Sequence, residues 1–173
     1  MKRLLRAVRL ERDAFVWMDL NDRATGDGLI LVAATTVLFA LAAPSSLLGL
    51  VTSLGGITLI IRALIQAAFF WLVYSGLTYA IGKFLLDGGG SYATVLRIAG
   101  FAYPTLLVAL ATDVLISSAV LSFIVGSLWF LAIVAAGVRY TADLPLPKAA
   151  LAAGGGFIAW IIVQRIFAGG LLL

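Results

Sequence analysis

Cysteine and histidine are both absent from the 173 residues. Without cysteine there is no disulfide framework, no thiol chemistry and no Cys-based metal site. Without histidine the usual general base, the commonest metal ligand and the Ser-His dyad are lost together. Charge is scarce as well, at 12% of residues, against about 25% in a soluble domain. What fills the space is apolar: hydrophobic residues make up 63%, where roughly 45–50% is usual. A soluble chain of this length has no interior large enough to hide that surface. A soluble enzyme, a disordered chain and a free nucleic-acid binder are therefore excluded. The pI near 9.8 points toward nucleic acid only superficially, because no basic cluster falls on a folded surface. The composition is that of an integral membrane protein.

The twenty charges are unevenly placed. Six basic and five acidic residues lie within positions 1–27. This segment begins like a signal peptide, but Glu11, Asp13, Asp19, Asp22 and Asp27 occupy the place of an apolar core, so it is retained. At 100° per residue, Leu4, Leu5, Val8, Phe15 and Met18 gather on one side of a helix, with Lys2, Arg6 and Arg9 opposite. Residues 1–27 thus read as an amphipathic cytoplasmic segment lying on the membrane. Lys2, Arg3, Arg6 and Arg9 are its contacts with anionic lipid headgroups.

Residues 28–173 form the membrane domain. A helix needs about 20 mostly apolar residues to cross the hydrocarbon core. Five segments qualify, at about 29–48, 57–82, 98–116, 119–138 and 149–171. Pro44-Ser45-Ser46 is placed to bend or end the first. Asp87-Gly88-Gly89-Gly90 is the clearest loop, Ser91 caps the helix after it, and Ser117-Ser118 makes a tight hairpin. The fold class is all-α: a five-span helical bundle with an N-terminal amphipathic interfacial segment. Ten cations fall on the side of the N-terminus and two, Arg62 and Arg165, on the other. The positive-inside rule then predicts a cytoplasmic N-terminus and a C-terminus across the plasma (inner) membrane.

Charges inside spans are costly and usually face a partner or a cavity. Arg62, Asp113 and Arg165 are each counted roughly 5–10 Å below the outer interface. They are candidates for one intramembrane polar cluster, with Gln66 a turn from Arg62; the alternative is that both arginines snorkel outward separately and Asp113 is wet at the helix end. Small-xxx-small pairs at Gly76/Ala80, Ala132/Ala136 and Ala150/Gly154 predict close helix crossings. Gly100-Phe101-Ala102-Tyr103-Pro104 predicts a kink, because Pro104 cannot donate to the Gly100 carbonyl and its ring crowds that group.

The stretch from Ser91 to Pro104 resembles the Yip family of five-span membrane proteins with a cytoplasmic N-terminus. The third span of these proteins opens with Gly-aromatic-x-x-Pro after a Gly-rich loop. Gly100, Phe101 and Pro104 match that pattern. The resemblance covers most of the chain by layout and about 15 residues by motif. The DLYGP motif of eukaryotic members is missing, since Asp19-Leu20 is followed by Asn21-Asp22. Their binding of Rab-type GTPases is accordingly not carried over, and the short tail is similar to prokaryotic-type members.

The resemblance implies a non-enzymatic scaffold or adaptor that binds partner membrane proteins or shapes the bilayer. The other reading is a small oligomeric permease, channel or lipid-handling protein using the polar group near the outer leaflet. No cofactor, metal or nucleic acid is expected. Expected partners are membrane lipids and other membrane proteins, or a second copy.

Overall fold

The computed structural model describes residues 6–42, 54–116 and 118–168; the side chains of residues 54–55, 113–116, 119 and 167–168 lie outside that description. The bends expected at Pro44–Ser46 and the first residue of the Ser117-Ser118 hairpin fall outside it too. The described chain is helical, with no strand among the described residues. A single helical turn at residues 6–8 precedes α1 (Arg12–Leu20). The helices α2 (Arg23–Ala42) and α3 (Leu54–Ala80) follow, and α3 continues as a π-helical turn, Ile81–Leu85. Next come α4 (Tyr92–Ala102), a 3₁₀ segment (Tyr103–Leu106) and α5 (Leu107–Ile116). The chain closes with α6 (Ala119–Thr141) and α7 (Leu146–Ala168).

Five of these stretches are long and apolar enough to cross a membrane: Arg23–Ala42, Gly56–Leu85, Tyr92–Thr112, Val120–Thr141 and Leu146–Ile166. The molecule is therefore a five-span bundle. The first helix begins at Arg23, six residues ahead of the apolar run that starts at Leu29. The third begins at Tyr92 because Ser91, in extended backbone, accepts a hydrogen bond from the Thr94 N–H at 3.2 Å. Hydropathy marks where a helix enters lipid. The capping chemistry marks where it begins.

The third span is the axis of the bundle. Every residue of α4 from Thr94 to Ala102 is buried, and α4 packs against α1, α2, α3 and α6. Around it α2 packs on α3, α3 on α7 and α7 on α6. Pro104 interrupts the axis. The Tyr103 N–H still reaches the Ala99 carbonyl, but the next residue has no N–H to give Gly100. The chain tightens into 3₁₀ geometry, and the Thr105 hydroxyl donates to the Ala102 carbonyl at 2.6 Å. The α pattern resumes at Leu107. Beyond the break, α5 packs chiefly on α6.

Glycine sets the closest crossings. A Cβ on Gly100 would stand 2.8 Å from the Gly28 Cα, so α2 and α4 meet backbone to backbone. A Cβ on Gly137 would come within 2.5 Å of Ile98. In Gly154-Gly155-Gly156 the three positions differ. Gly156 lies against Thr78, whose backbone nitrogen would be 3.0 Å from its Cβ; Gly155 faces Ile81; nothing is within 4 Å of a Cβ on Gly154. Of the small residues picked out by spacing, Ala132 and Ala150 are exposed. The stripe of α7 that meets α3 is Ala152, Ala153 and Gly156, offset from the Ala150/Gly154 pair.

Candidate functional site

The most elaborate polar site is at the tail end of the bundle, centred on Arg97. This residue is only 6% exposed, although it is charged and belongs to a span. Its guanidinium spends its donors on the two N-terminal helices. Nε donates to the Thr25 hydroxyl at 2.9 Å, and Nη1 donates to the carbonyls of Met18 and Asp19, both at 3.0 Å. Nη2 donates to the Asp22 carboxylate at 2.5 Å. A planar fork with five N–H groups can satisfy four acceptors at fixed angles, which an ammonium cannot. Met18 and Asp19 end α1, so the cation also sits at the negative end of that helix dipole. One turn before Arg97, the Thr94 hydroxyl donates to the Asp19 carboxylate at 2.5 Å.

The apolar side of α1 completes the contact. Ala14, Phe15 and Met18 are buried. Phe15 stacks on Tyr140 with ring centroids 6.0 Å apart, and Trp17 meets Phe101 edge-on at 6.1 Å. Burying Phe15 and Met18 contributes about 2 kcal/mol each. The amphipathic pattern is thus present, but its apolar face is turned onto the ends of α4 and α6 and not into acyl chains. The bundle end offers a ready apolar surface, and α1 covers it. On the opposite side of α1, Val16 and Leu20 are exposed.

The loops at this end are knit together. The Gly88 N–H donates to the Gly82 carbonyl and the Gly89 N–H to the Ala142 carbonyl, each at 2.9 Å. Gly90 has φ +82°, a left-handed conformation that glycine adopts without strain.

Of the predicted membrane-surface cations, Arg6 and Arg9 are exposed. Arg6 lies 3.6 Å from Glu11 in an exposed pair. Lys2 and Arg3 lie outside the described residues. Gly100, Phe101 and Pro104 occupy the turn from α-helix to 3₁₀ described above.

Three of the four intramembrane candidates have described side chains. Arg62 and Gln66 are exposed on α3, and Arg165 is exposed on α7. Tyr74 donates to the Ala153 carbonyl at 3.3 Å and Phe70 meets Trp160 edge-on at 5.3 Å, so the α7 face toward α3 is fixed. Arg165 comes nine residues after Gly156 and five after Trp160, which at 100° each puts it about 180° from the one and about 140° from the other. Arg62 is twenty-one residues from Lys83, about 31 Å along a helix. That is close to the full ~30 Å of hydrocarbon, so Arg62 stands at the far interface. The side chain of Asp113 lies outside the described residues.

On sequence, Arg97 counts only among the ten cations on the side of the N-terminus. Its signal was present: Ser91, Thr94 and Arg97 recur at helical spacing on the first two turns of the helix. Hydroxyls and a cation in that register mark a polar stripe that needs partners.

The fold and site define a class: a five-span helical membrane bundle whose N-terminal helix is tied to its central span by a buried arginine. The chain matches the Yip1 domain over residues 12–167 and belongs to that family. The match begins at the first residue of α1, so the tied helix is part of the domain. No curated protein and no solved structure matches the chain.

Proposed function

We propose that the protein is a non-enzymatic scaffold or adaptor of the plasma (inner) membrane, with its N-terminus in the cytoplasm, that binds partner membrane proteins. The observation that carries this reading is where the polar chemistry sits. The elaborate polar site is a self-satisfied lock at the tail end, and Arg62 and Arg165 are exposed on separate helices. A permeation pathway needs polar groups converging on a common space, whereas Arg62 and Arg165 are exposed on the flanks of two helices. The orientation is supported by the ten-to-two division of cations. Arg6 and Arg9, exposed beside the tail helix, suit anionic headgroups.

Purification from the native host in mild detergent tests this function. A membrane protein that co-purifies reproducibly in stoichiometric amount is the expected result. A tightly held solute with no protein partner would overturn it in favour of a permease or lipid-handling role. A reporter fused to the C-terminus tests the orientation, and a cytoplasmic signal would reverse it.

A further inference from the structure

Tyr92, the first residue of α4, reverses the usual posture of a tyrosine near the membrane surface. Such a side chain normally keeps its ring at the edge of the acyl chains and its hydroxyl among the headgroups. Here the hydroxyl donates to the Leu72 carbonyl of α3 at 3.2 Å. Leu72 lies eleven residues before Lys83, about 16 Å deeper along the helix. The ring is thereby laid along α3, its Cε2 3.7 Å from where a Cβ on Gly76 would stand. Leu72, Gly76, Tyr79 and Lys83 recur at spacings of four, three and four, which makes them one stripe of the helix. Leu72 is 45% exposed, so the stripe faces the bilayer and not the bundle interior. Tyr79 meets Tyr92 edge-on with centroids 6.3 Å apart, and Phe84 meets Tyr79 edge-on at 6.3 Å. Together they make an aromatic shelf on the seam of α3 and α4, open sideways to lipid.

The stripe ends on a cation. The π-helical turn carries Lys83, exposed, with its ammonium 5.4 Å from the Tyr79 ring centre. Among the described residues the ion pairs are Arg6–Glu11 and Arg97–Asp22, so none of their carboxylates neutralises Lys83. Beside it Phe84 is 72% and Leu85 71% exposed. A cation above an aromatic shelf, flanked by apolar side chains, complements a molecule with an anionic head and an apolar tail. A soluble anion would leave the shelf unused.

We propose that this seam binds one anionic phospholipid of the leaflet at the tail end, its phosphate on Lys83 and an acyl chain along Tyr79 and the ring of Tyr92. Charge selects the head. The Tyr92 hydroxyl is already bonded to Leu72, so the shelf offers the chain a ring face and no polar group to desolvate. The site is built from α3 and α4, apart from the tail cations Arg6 and Arg9. A lipid on this flank is compatible with a partner protein, so the adaptor reading keeps its own test.

Native mass spectrometry of the full chain in mild detergent, titrated with phosphatidylglycerol or with phosphatidylcholine of the same acyl chains, tests the site. The first phosphatidylglycerol should bind about fivefold more tightly than the first phosphatidylcholine, the effect of one lysine at the phosphate. Lys83→Gln should remove that preference and leave phosphatidylcholine binding unchanged, whereas Tyr92→Ala should weaken both lipids. Two controls should keep the preference: Lys148→Gln, a cation of α7 that reaches the Leu86 carbonyl at 3.5 Å, and Arg6→Gln combined with Arg9→Gln. Equal affinity for the two lipids, a preference that survives Lys83→Gln, or one abolished by the tail variant overturns the proposal. So does displacement of the lipid by an equal concentration of glycerol phosphate, which would show a site for the head alone.

Discussion

The two ends of the bundle handle charge in opposite ways. At the tail end a cation is buried, and its acceptors come from the last turn of α1, from Asp22 and from Thr25 in the first turn of α2. At the other end the cations are exposed, one near the interface on α3 and one on the outer side of α7. A buried charge is stable only with partners held in place, and the tail end has two helices and two knitted loops to hold them. The exposed arginines need no such frame, since a long side chain reaches polar headgroups from the flank of a helix. Arg97 is thus tied into the fold, whereas Arg62 and Arg165 are exposed.

Removing Arg97 attacks the difference most directly. Arg97→Leu leaves the carbonyls of Met18 and Asp19 and the Thr25 hydroxyl with no donor under a covered surface. The expected loss is about 3 kcal/mol, read from unfolding of the purified protein in mild detergent. Arg97→Lys should recover less than half, because one ammonium cannot reach acceptors on both helices. A melting temperature unmoved by Arg97→Leu would erase the distinction between the ends.

The glycine run on α7 sharpens it within one helix. Gly156→Ala pushes a methyl against the Thr78 backbone and should cost about 1–3 kcal/mol through overpacking. Gly154→Ala meets nothing within 4 Å and should be neutral or stabilising by up to about 1 kcal/mol, from helix propensity. If the two variants behave alike, α3 and α7 do not cross at Gly156. Thr94→Val, which removes the donor to Asp19 and keeps the shape, should cost about 1 kcal/mol in the same assay.

How far the sequence discloses this molecule depends on the kind of signal. The five spans were legible because an apolar run of membrane length is far longer than the buried stripe of a soluble helix. The break at Pro104 was legible because proline acts on the residue four before it, within one helix. The Arg97 lock was not, because its acceptors lie more than seventy positions away and two of them are backbone carbonyls, which carry no residue identity. The polar cluster of Arg62, Gln66, Asp113 and Arg165 was inferred from depth alone. Depth follows from counting residues, but convergence needs the rotation of each helix about its axis. On α7 that rotation is set by Ala153, Gly156 and Trp160, and it turns Arg165 away from the face toward α3. The same limit governs the small-residue pairs: spacing selected Ala150/Gly154, and the helix turned Ala152, Ala153 and Gly156 toward α3 instead.

The smallest effects are expected at the far end, and they test whether its charges act alone. Arg62→Ala and Arg165→Ala should each change stability by no more than about 0.5 kcal/mol, as at exposed positions without a fixed partner. The stronger statement concerns the pair. If both arginines held a common carboxylate, the second substitution would cost less once the first had been made, and the double variant would fall short of the sum. With Arg165 turned away from the face toward α3, the two are expected to act independently. The double variant should equal the sum within about 0.3–0.5 kcal/mol, the agreement found for distant independent sites. A shortfall of about 1 kcal/mol or more would bring the two cations into one network, and both ends of the bundle would then hold charge in the same way.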